Sequence, residues 1–382
     1  PNVYDFYNQL IDGHNKEEWS DWDAFQFSFA QTFFGNRVGY EFVYDYQNYE
    51  TGNYNLLGGR PQIGVDINTH TGRIPAEYPT AIPSGEGGGV PLPETVQGGE
   101  LNPNVGRAYV TGGRPGVNYT GTIRENMRLT AFAEFSGSDV FDEEGFLAKL
   151  IGRNVFTGLL SRDERRFDER SWQAFATSAE WPLFSDQEPQ LDGYARGIAY
   201  MVYLTDDLRG VSNPWNLNLP GLDTVINPSG SMTVEYFDST WNAPDVDPGA
   251  FYRLPFNGED STQSENWANY TGLSTREVTV LNAAQGDQDE LYTSAFKRTE
   301  VLDSYGVTWQ GYWWDGAVVP TFGWREDEIA TWGRSAEAAP RTGLRSPNFE
   351  NPKEDVLIKK GETVTWGVVV HTEDFIGDIL PF

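Results

Sequence analysis

The sequence predicts an all-β fold of antiparallel strands, on three observations. Gly35-Asn36 and Asp315-Gly316 each sit between runs of alternating side chains, the short-range signature of a β-hairpin. Glycine (41 residues) and aromatics (14%) are abundant, while only three Met and scattered Leu are available for amphipathic helices. The connections are of two kinds, very short at these turns and very long from about residue 51 to 123 and from about 206 to 290. A chain of 382 residues is long enough for two or three ordinary domains or for one large β structure.

The first hairpin spans residues 21–49. Zipping outward from Gly35-Asn36 as a two-residue turn sets Phe33 opposite Val38, Phe29 opposite Phe42, Phe27 opposite Tyr44 and Phe25 opposite Tyr46, with Gln31 and Tyr40 between them. One face is therefore almost wholly aromatic. The other pairs Thr32 with Gly39, Ala30 with Glu41, Ser28 with Val43 and Gln26 with Asp45, and is small and polar. A soluble sheet also alternates, but its polar face meets bulk water and its apolar face meets a second layer. Here the polar side, with Gln26, Glu41 and Asp45, has the character of a lumen. The aromatic side, with Phe25, Phe27, Phe29, Phe42 and Tyr44, suits lipid.

Further strands are expected at 125–136, 153–161, 171–181, 194–205 and 363–371, the fourth with poor alternation because Met201 and Tyr203 fall on the side away from Tyr200 and Val202. The second hairpin repeats the logic of the first. Zipping from Asp315-Gly316 pairs Trp313 with Val318, Trp309 with Phe322 and Val307 with Trp324, with Pro320 opposite Gly311 interrupting that face. The reverse face pairs Gln310 with Thr321, Thr308 with Gly323, Gly306 with Arg325 and Ser304 with Asp327. Trp313 and Trp314 crowd beside the turn, where a membrane barrel places its aromatic girdle and a β-sandwich would place core tryptophans. Tracing the chain back and forth puts the long loops around Gly87, Gly258 and Gly343 on the side of the N-terminal segment, and the connections near Glu143 and Gln187 on the turn side. The expectation is about nine strands of a larger antiparallel transmembrane β-barrel, with short periplasmic turns and long extracellular loops.

Charge and composition exclude several classes. A net charge of -29 leaves no basic patch for a nucleic acid. The acid runs Asp142-Glu143-Glu144 and Asp163-Glu164 fall between strand candidates and are expected as solvated loops. Without Cys there are no disulfides, no thiol chemistry and no Cys-ligated metal. No stretch approaches the roughly 18 apolar residues of a membrane helix, so a membrane role must come from strands or from the surface. The chain starts at Pro1 and stops at Leu380-Pro381-Phe382 soon after a strand-like run, which suggests an internal piece of a longer protein.

An ordered set of motifs resembles TonB-dependent outer-membrane receptors, particularly the large barrels of Verrucomicrobia-type bacteria. It begins with Tyr4-Asp5-Phe6-Tyr7, Glu18-Trp19, Trp22-Asp23 and Gln31-Thr32-Phe33-Phe34. Gly64-Val65-Asp66-Ile67-Asn68, Asn102-Pro103-Asn104-Val105-Gly106-Arg107 and the run from Leu150-Ile151-Gly152-Arg153 to Gly158 follow. The tract from Tyr305 to Asp327 and the end from Trp366-Gly367-Val368 to Phe382 complete it. The likeness covers most of the chain apart from about residues 211–282. The resemblance implies a barrel of about 22 strands filled by an N-terminal plug, energised from the inner membrane through TonB. Residues 1–382 would be part of the barrel domain, because the plug and the closing C-terminal strand are absent. An isolated section would have open sheet edges and is not expected to transport anything alone. The implied partners are outer-membrane lipid and lipopolysaccharide, the TonB complex through the missing plug, and a scarce ligand such as a siderophore or a glycan.

No catalytic constellation is visible, and neither enzyme activity nor a cofactor is expected. His14, His70 and His371 have no metal-binding spacing, and Gly85-Glu86-Gly87-Gly88-Gly89 lacks the Lys and helix of a phosphate cradle. Asp245-Val246-Asp247-Pro248-Gly249 and Gly286-Asp287-Gln288-Asp289-Glu290 could hold Ca²⁺ through oxygens, but neither has EF-hand spacing, and ordinary loop solvation is the plainer reading. The loop aromatics Trp215, Tyr236, Trp241, Tyr252 and Trp267 could stack on a ligand or on one another, so no ligand pocket is assigned. The alternative to the receptor is a soluble acidic β-sandwich module of capsid or adhesin type.

Overall fold

Seven long strands form one antiparallel sheet whose neighbours follow chain order. They are β1 (Lys16–Phe33), β2 (Val38–Asn55), β3 (Gly116–Ser136), β4 (Arg153–Gln173), β5 (Tyr292–Tyr312), β6 (Val318–Ser335) and β7 (Leu357–Val370). This computed structural model describes residues 3–58, 61–71, 81–83, 89–91, 100–142, 145–184, 196–241, 270–340 and 343–371. The fold is all-β, and among the described residues no helix is long and apolar enough to cross a membrane.

Both hairpins keep the register that their sequences specify, from Phe33 opposite Val38 to Phe25 opposite Tyr46, and from Trp309 opposite Phe322 to Ser304 opposite Asp327. The turns differ from the expected two-residue form. Four residues, 34–37, connect β1 to β2, and Phe34, Gly35 and Asn36 are all left-handed (φ 52°, 65° and 68°). The second turn repeats this with Trp314, Asp315 and Gly316 (φ 48°, 55° and 97°). Each loop gains one residue on either side of the same centre, so the pairing does not slip.

The strands are longer than the alternation alone indicates. β3, β4 and β5 each run 21 residues, and β4 continues through Asp163-Glu164, expected as a solvated loop. Asp163 and Glu164 lie in mid-strand on β4 because a salt-bridge partner is waiting on each side of the sheet. Arg124 meets Asp163 at 2.6 Å, and Arg166 meets Glu164 at 2.8 Å. The wall has seven strands among the described residues where about nine were expected, since two candidates belong elsewhere. Residues 171–181 finish β4, then form a short strand (Phe175–Thr177) and enter a short helix (Glu180–Phe184). The candidate at 194–205 gives Tyr200–Asp207, which pairs with Arg107–Gly112 in a separate three-stranded sheet, in keeping with its poor alternation.

Three long connections, 56–115, 174–291 and 336–356, leave and re-enter at one end of the wall, the end where β1 begins. Apart from the two hairpin turns, the connection at the short-turn end is 137–152, which joins β3 to β4. The loop carrying Gln187 therefore belongs to the long-loop end, although Gln187 itself, Glu143, Gly87 and Gly258 lie outside the described residues. The apolar core lies beyond the wall, at the long-loop end. Leu56, Ala108, Val110, Phe175, Leu219, Leu222 and Val280 are buried there, joined by Tyr4 and Ile11 from the N-terminal segment. Tyr200 donates its hydroxyl to the Leu56 carbonyl inside this cluster, so the end of β2 is tied to the satellite sheet.

Candidate functional site

The feature that distinguishes the wall is the contrast between its faces. Following registered partners across all seven strands, Phe33, Val38, Ala133, Phe156, Trp309, Phe322 and Trp366 share one row on one face. The seven lipid-facing candidates, Phe25, Phe27, Phe29, Phe42, Tyr44, Trp309 and Phe322, all fall on that face. The lumen candidates Gln26, Glu41, Asp45, Gln310 and Arg325 all fall on the other. Phe25, Phe27, Phe29 and Phe33 are 45–58% exposed and Trp366 is 80% exposed, so among the described residues no second layer covers the aromatic face.

This face carries a band without charge. It takes in residues 25–33 of β1, 38–48 of β2, 127–135 of β3, 154–160 of β4, 305–311 of β5, 318–324 of β6 and 364–370 of β7, counting alternate positions. The first charges beyond it, moving away from the short turns, are Asp23, Glu50, Glu125, Arg162, Asp303, Glu326 and Glu362. The band is slanted with respect to the register. Phe29, at its middle on β1, connects through Phe42, Leu129, Leu160 and Tyr305 to Glu326 and Glu362, which are already charged. Its charged edge thus slips from Asp23 to the row of Phe29, six residues over the six steps between β1 and β7. A slip of about 3.4 Å for each interstrand step of about 4.8 Å inclines the band by about 35° to the hydrogen-bond direction. Along β1 the band is about 27 Å long, or about 22 Å once projected through that angle.

On the polar face the ion pairs lie within the band on β2 and β3 and beyond its charged edge on β4 to β6, and these charges are satisfied internally. Arg128 meets Glu41 (3.3 Å), Asp163 takes both Arg124 (2.6 Å) and Arg165 (3.4 Å), and Arg298 meets Glu300 (3.3 Å). Arg325 lies 2.9 Å from Asp327, which also accepts the Ser304 hydroxyl at 2.5 Å. Between these pairs and the Arg153–Glu134 pair at the short-turn end, Thr157, Thr308, Thr321, Thr365 and Gln310 surround a shallow depression of about 340 Å³.

At the long-loop end the motifs around Asp66 and Asn102 come together. Asn102 Nδ2 donates to Asp66 Oδ2 (2.9 Å) and to the Asn68 carbonyl (2.8 Å), and the Tyr203 hydroxyl donates to Asp66 Oδ2 (2.6 Å). Arg107 donates through Nε to the Thr205 carbonyl and through Nη1 to Asn104 Oδ1, both at 2.6 Å, with its guanidinium 4.8 Å from the Tyr203 ring centre. The Tyr203 hydroxyl, then Asn102, hold the buried Asp66 carboxyl below the usual carboxylate range, and the same bond raises the Tyr203 phenol. These groups spend their hydrogen bonds on one another and fasten residues 102–107 to the satellite sheet. The sequence singled out both motifs without joining them, because nothing in either spells a partner 36 residues away.

The remaining candidates do not converge. Among the described residues no three His, Asp or Glu side chains are placed to hold a metal ion. In the acidic loop, Asp287 instead accepts the Asn282 N–H (2.9 Å). Trp215 is exposed, whereas Tyr236 packs against Trp181 and Phe184 at 5.9 and 5.3 Å. Residues 245–249, Tyr252 and Trp267 lie outside the described residues. No protein-family model, curated protein or solved structure matches this chain.

Proposed function

We propose that the seven-stranded sheet is a section of the wall of a transmembrane β-barrel in a bacterial outer membrane, with its aromatic face in lipid and its ionised face toward the lumen. The slanted uncharged band carries this reading. Its inclination of about 35° lies at the lower end of the strand tilt of membrane barrels, and its projected height, about 22 Å on β1 and β3, about 28 Å on β2 and about 17 Å on β4 to β7, is of the order of their lipid-facing band of about 25 Å. The short turns would face the periplasm, and the long connections with their apolar core would stand outside the cell.

The function proposed for the whole is that of a TonB-dependent receptor, supported by the order of motifs along the chain. A scarce small molecule or oligosaccharide would be captured at the long-loop end and admitted through the lumen when TonB rearranges a plug. Two measurements test the two levels separately. The complete protein should fractionate with the outer membrane and migrate as a heat-modifiable species; recovery in the soluble fraction without detergent contradicts the wall. Uptake of ferric chelates and oligosaccharides should fall to background in cells lacking TonB. Uptake indifferent to TonB leaves a barrel but removes the receptor.

A further inference from the structure

The connection between β3 and β4, residues 137–152, seats its small residues inward and its large apolar residues outward. It opens with a capped turn, where the Ser136 N–H donates to Asp139 Oδ2 (2.8 Å) and Arg37 pairs with Asp139. A six-residue helix, α1 (Phe146–Ile151), follows. Ala148 is buried, and its carbonyl lies so close to Gly137 that a Cβ there would come within 2.6 Å. Gly152, left-handed at φ 60°, closes α1 by donating its N–H to Ala148 O (2.8 Å), and a Cβ on it would stand 1.9 Å from the Tyr312 carbonyl. Only small residues fit at these contacts, so the seating of α1 is fixed. The consequence is that Phe146 is 70% exposed and Leu147 is 50% exposed, with Leu150 and Val140 also on the surface. A surface helix in water turns its large apolar side chains the other way.

The location of α1 says what covers it. Lys149 reaches to 3.9 Å from Asp315, which puts α1 beside the Trp314–Gly316 turn. There the Trp309, Trp313 and Trp314 rings follow one another at 6.1 and 6.4 Å. Phe135, the last apolar side chain of the band on β3, stands one residue before the connection, with Ser136 between them. The exposed apolar side of α1 therefore stands at the short-turn margin of the sheet, beside the turn that carries Trp313 and Trp314. The cations at this end already have acidic partners: Arg37 with Asp139, Lys149 with Asp315, and Arg153 with Glu134. Neutral lipid suffices as the occupant.

Resting on the membrane reading above, we infer that α1 is an interfacial foot. Phe146, Leu147 and Leu150 lie in the headgroup–acyl boundary of the leaflet on the short-turn side, level with Trp313 and Trp314. The absence of Cys makes single-site labelling clean. An environment-sensitive fluorophore is placed on Leu147→Cys, and in a second protein on Phe27→Cys within the band, each in the complete protein in phosphatidylcholine vesicles. Loss of fluorescence at position 147 is expected with lipids carrying a quencher about 5–10 Å below the headgroup, and less with quenchers near the bilayer centre. Position 27 should show the opposite preference. No quenching at 147 by either lipid, with position 27 quenched, overturns the foot and leaves the wall standing. Quenching at neither position overturns both.

Discussion

Arginine introduced at successive positions on the aromatic face should trace the slant of the band. At the middle of the band on β1, Phe29→Arg places a cation where a membrane barrel loses about 2–4 kcal/mol, while near either edge the loss falls to about 0–1 kcal/mol. The larger figure corresponds to an approximately 30-fold to nearly 1000-fold fall in the folded fraction. On β7 the costly position should not be the one registered with Phe29, because that residue is Glu362 and is already charged. The maximum there should fall at Trp366 or Val368, four to six residues closer to the short-turn end. Folding of the complete protein into lipid vesicles across a urea series gives these costs directly. Ser28→Arg, on the polar face beside Phe29, is the control and should cost little. Equal costs for Phe29→Arg and Ser28→Arg refute the assignment of faces, and maxima lying in one register row on β1 and β7 refute the tilt.

Three further outcomes follow from local geometry. Phe34 is 80% exposed and left-handed at φ 52°, so Phe34→Gly should stabilise the first hairpin by roughly 1 kcal/mol in urea unfolding, and a clear loss would contradict the turn. Gly152→Ala meets both a left-handed backbone and the Tyr312 carbonyl, and should destabilise by about 1–3 kcal/mol or more; a neutral effect would remove the fixed seating of α1. Asp66 has a lowered folded pKa, so its contribution is complete above the unfolded value near 3.9 and is lost as pH falls through the folded value. The stability difference between the protein and Asp66→Asn should stay flat between about pH 5 and 8 and shrink only below about pH 4, and widening on acidification would be the wrong sign.

The hairpins were legible in the sequence because a local turn fixes register outward from its centre, and every cross-strand pair between Phe25 and Tyr46 follows from Gly35-Asn36 alone. What was not legible depends on partners that the chain supplies far away. Asp163 resembles a loop residue until Arg124 and Arg165 are beside it, and the continuous course of β4 to Gln173 rests on such pairs. Tyr200–Asp207 has strand-forming side chains whichever sheet takes it, so composition could not exclude it from the wall. The two faces of each hairpin could be seen one at a time. The slant of the band could not, since it exists only once all seven registers are known. The outward side of α1 was likewise hidden, because Phe146-Leu147 in a sequence reads as ordinary core material.

Spin labels placed one at a time from Ala24 to Phe33 in vesicles test directly whether alternate residues of one strand touch lipid and the lumen. Collision with molecular oxygen should peak at Phe25, Phe27, Phe29 and Phe33, and collision with a water-soluble nickel chelate should peak at Gln26, Ser28 and Thr32, in a strict two-residue alternation. High nickel access at both sets would place the aromatic face in water and contradict the account.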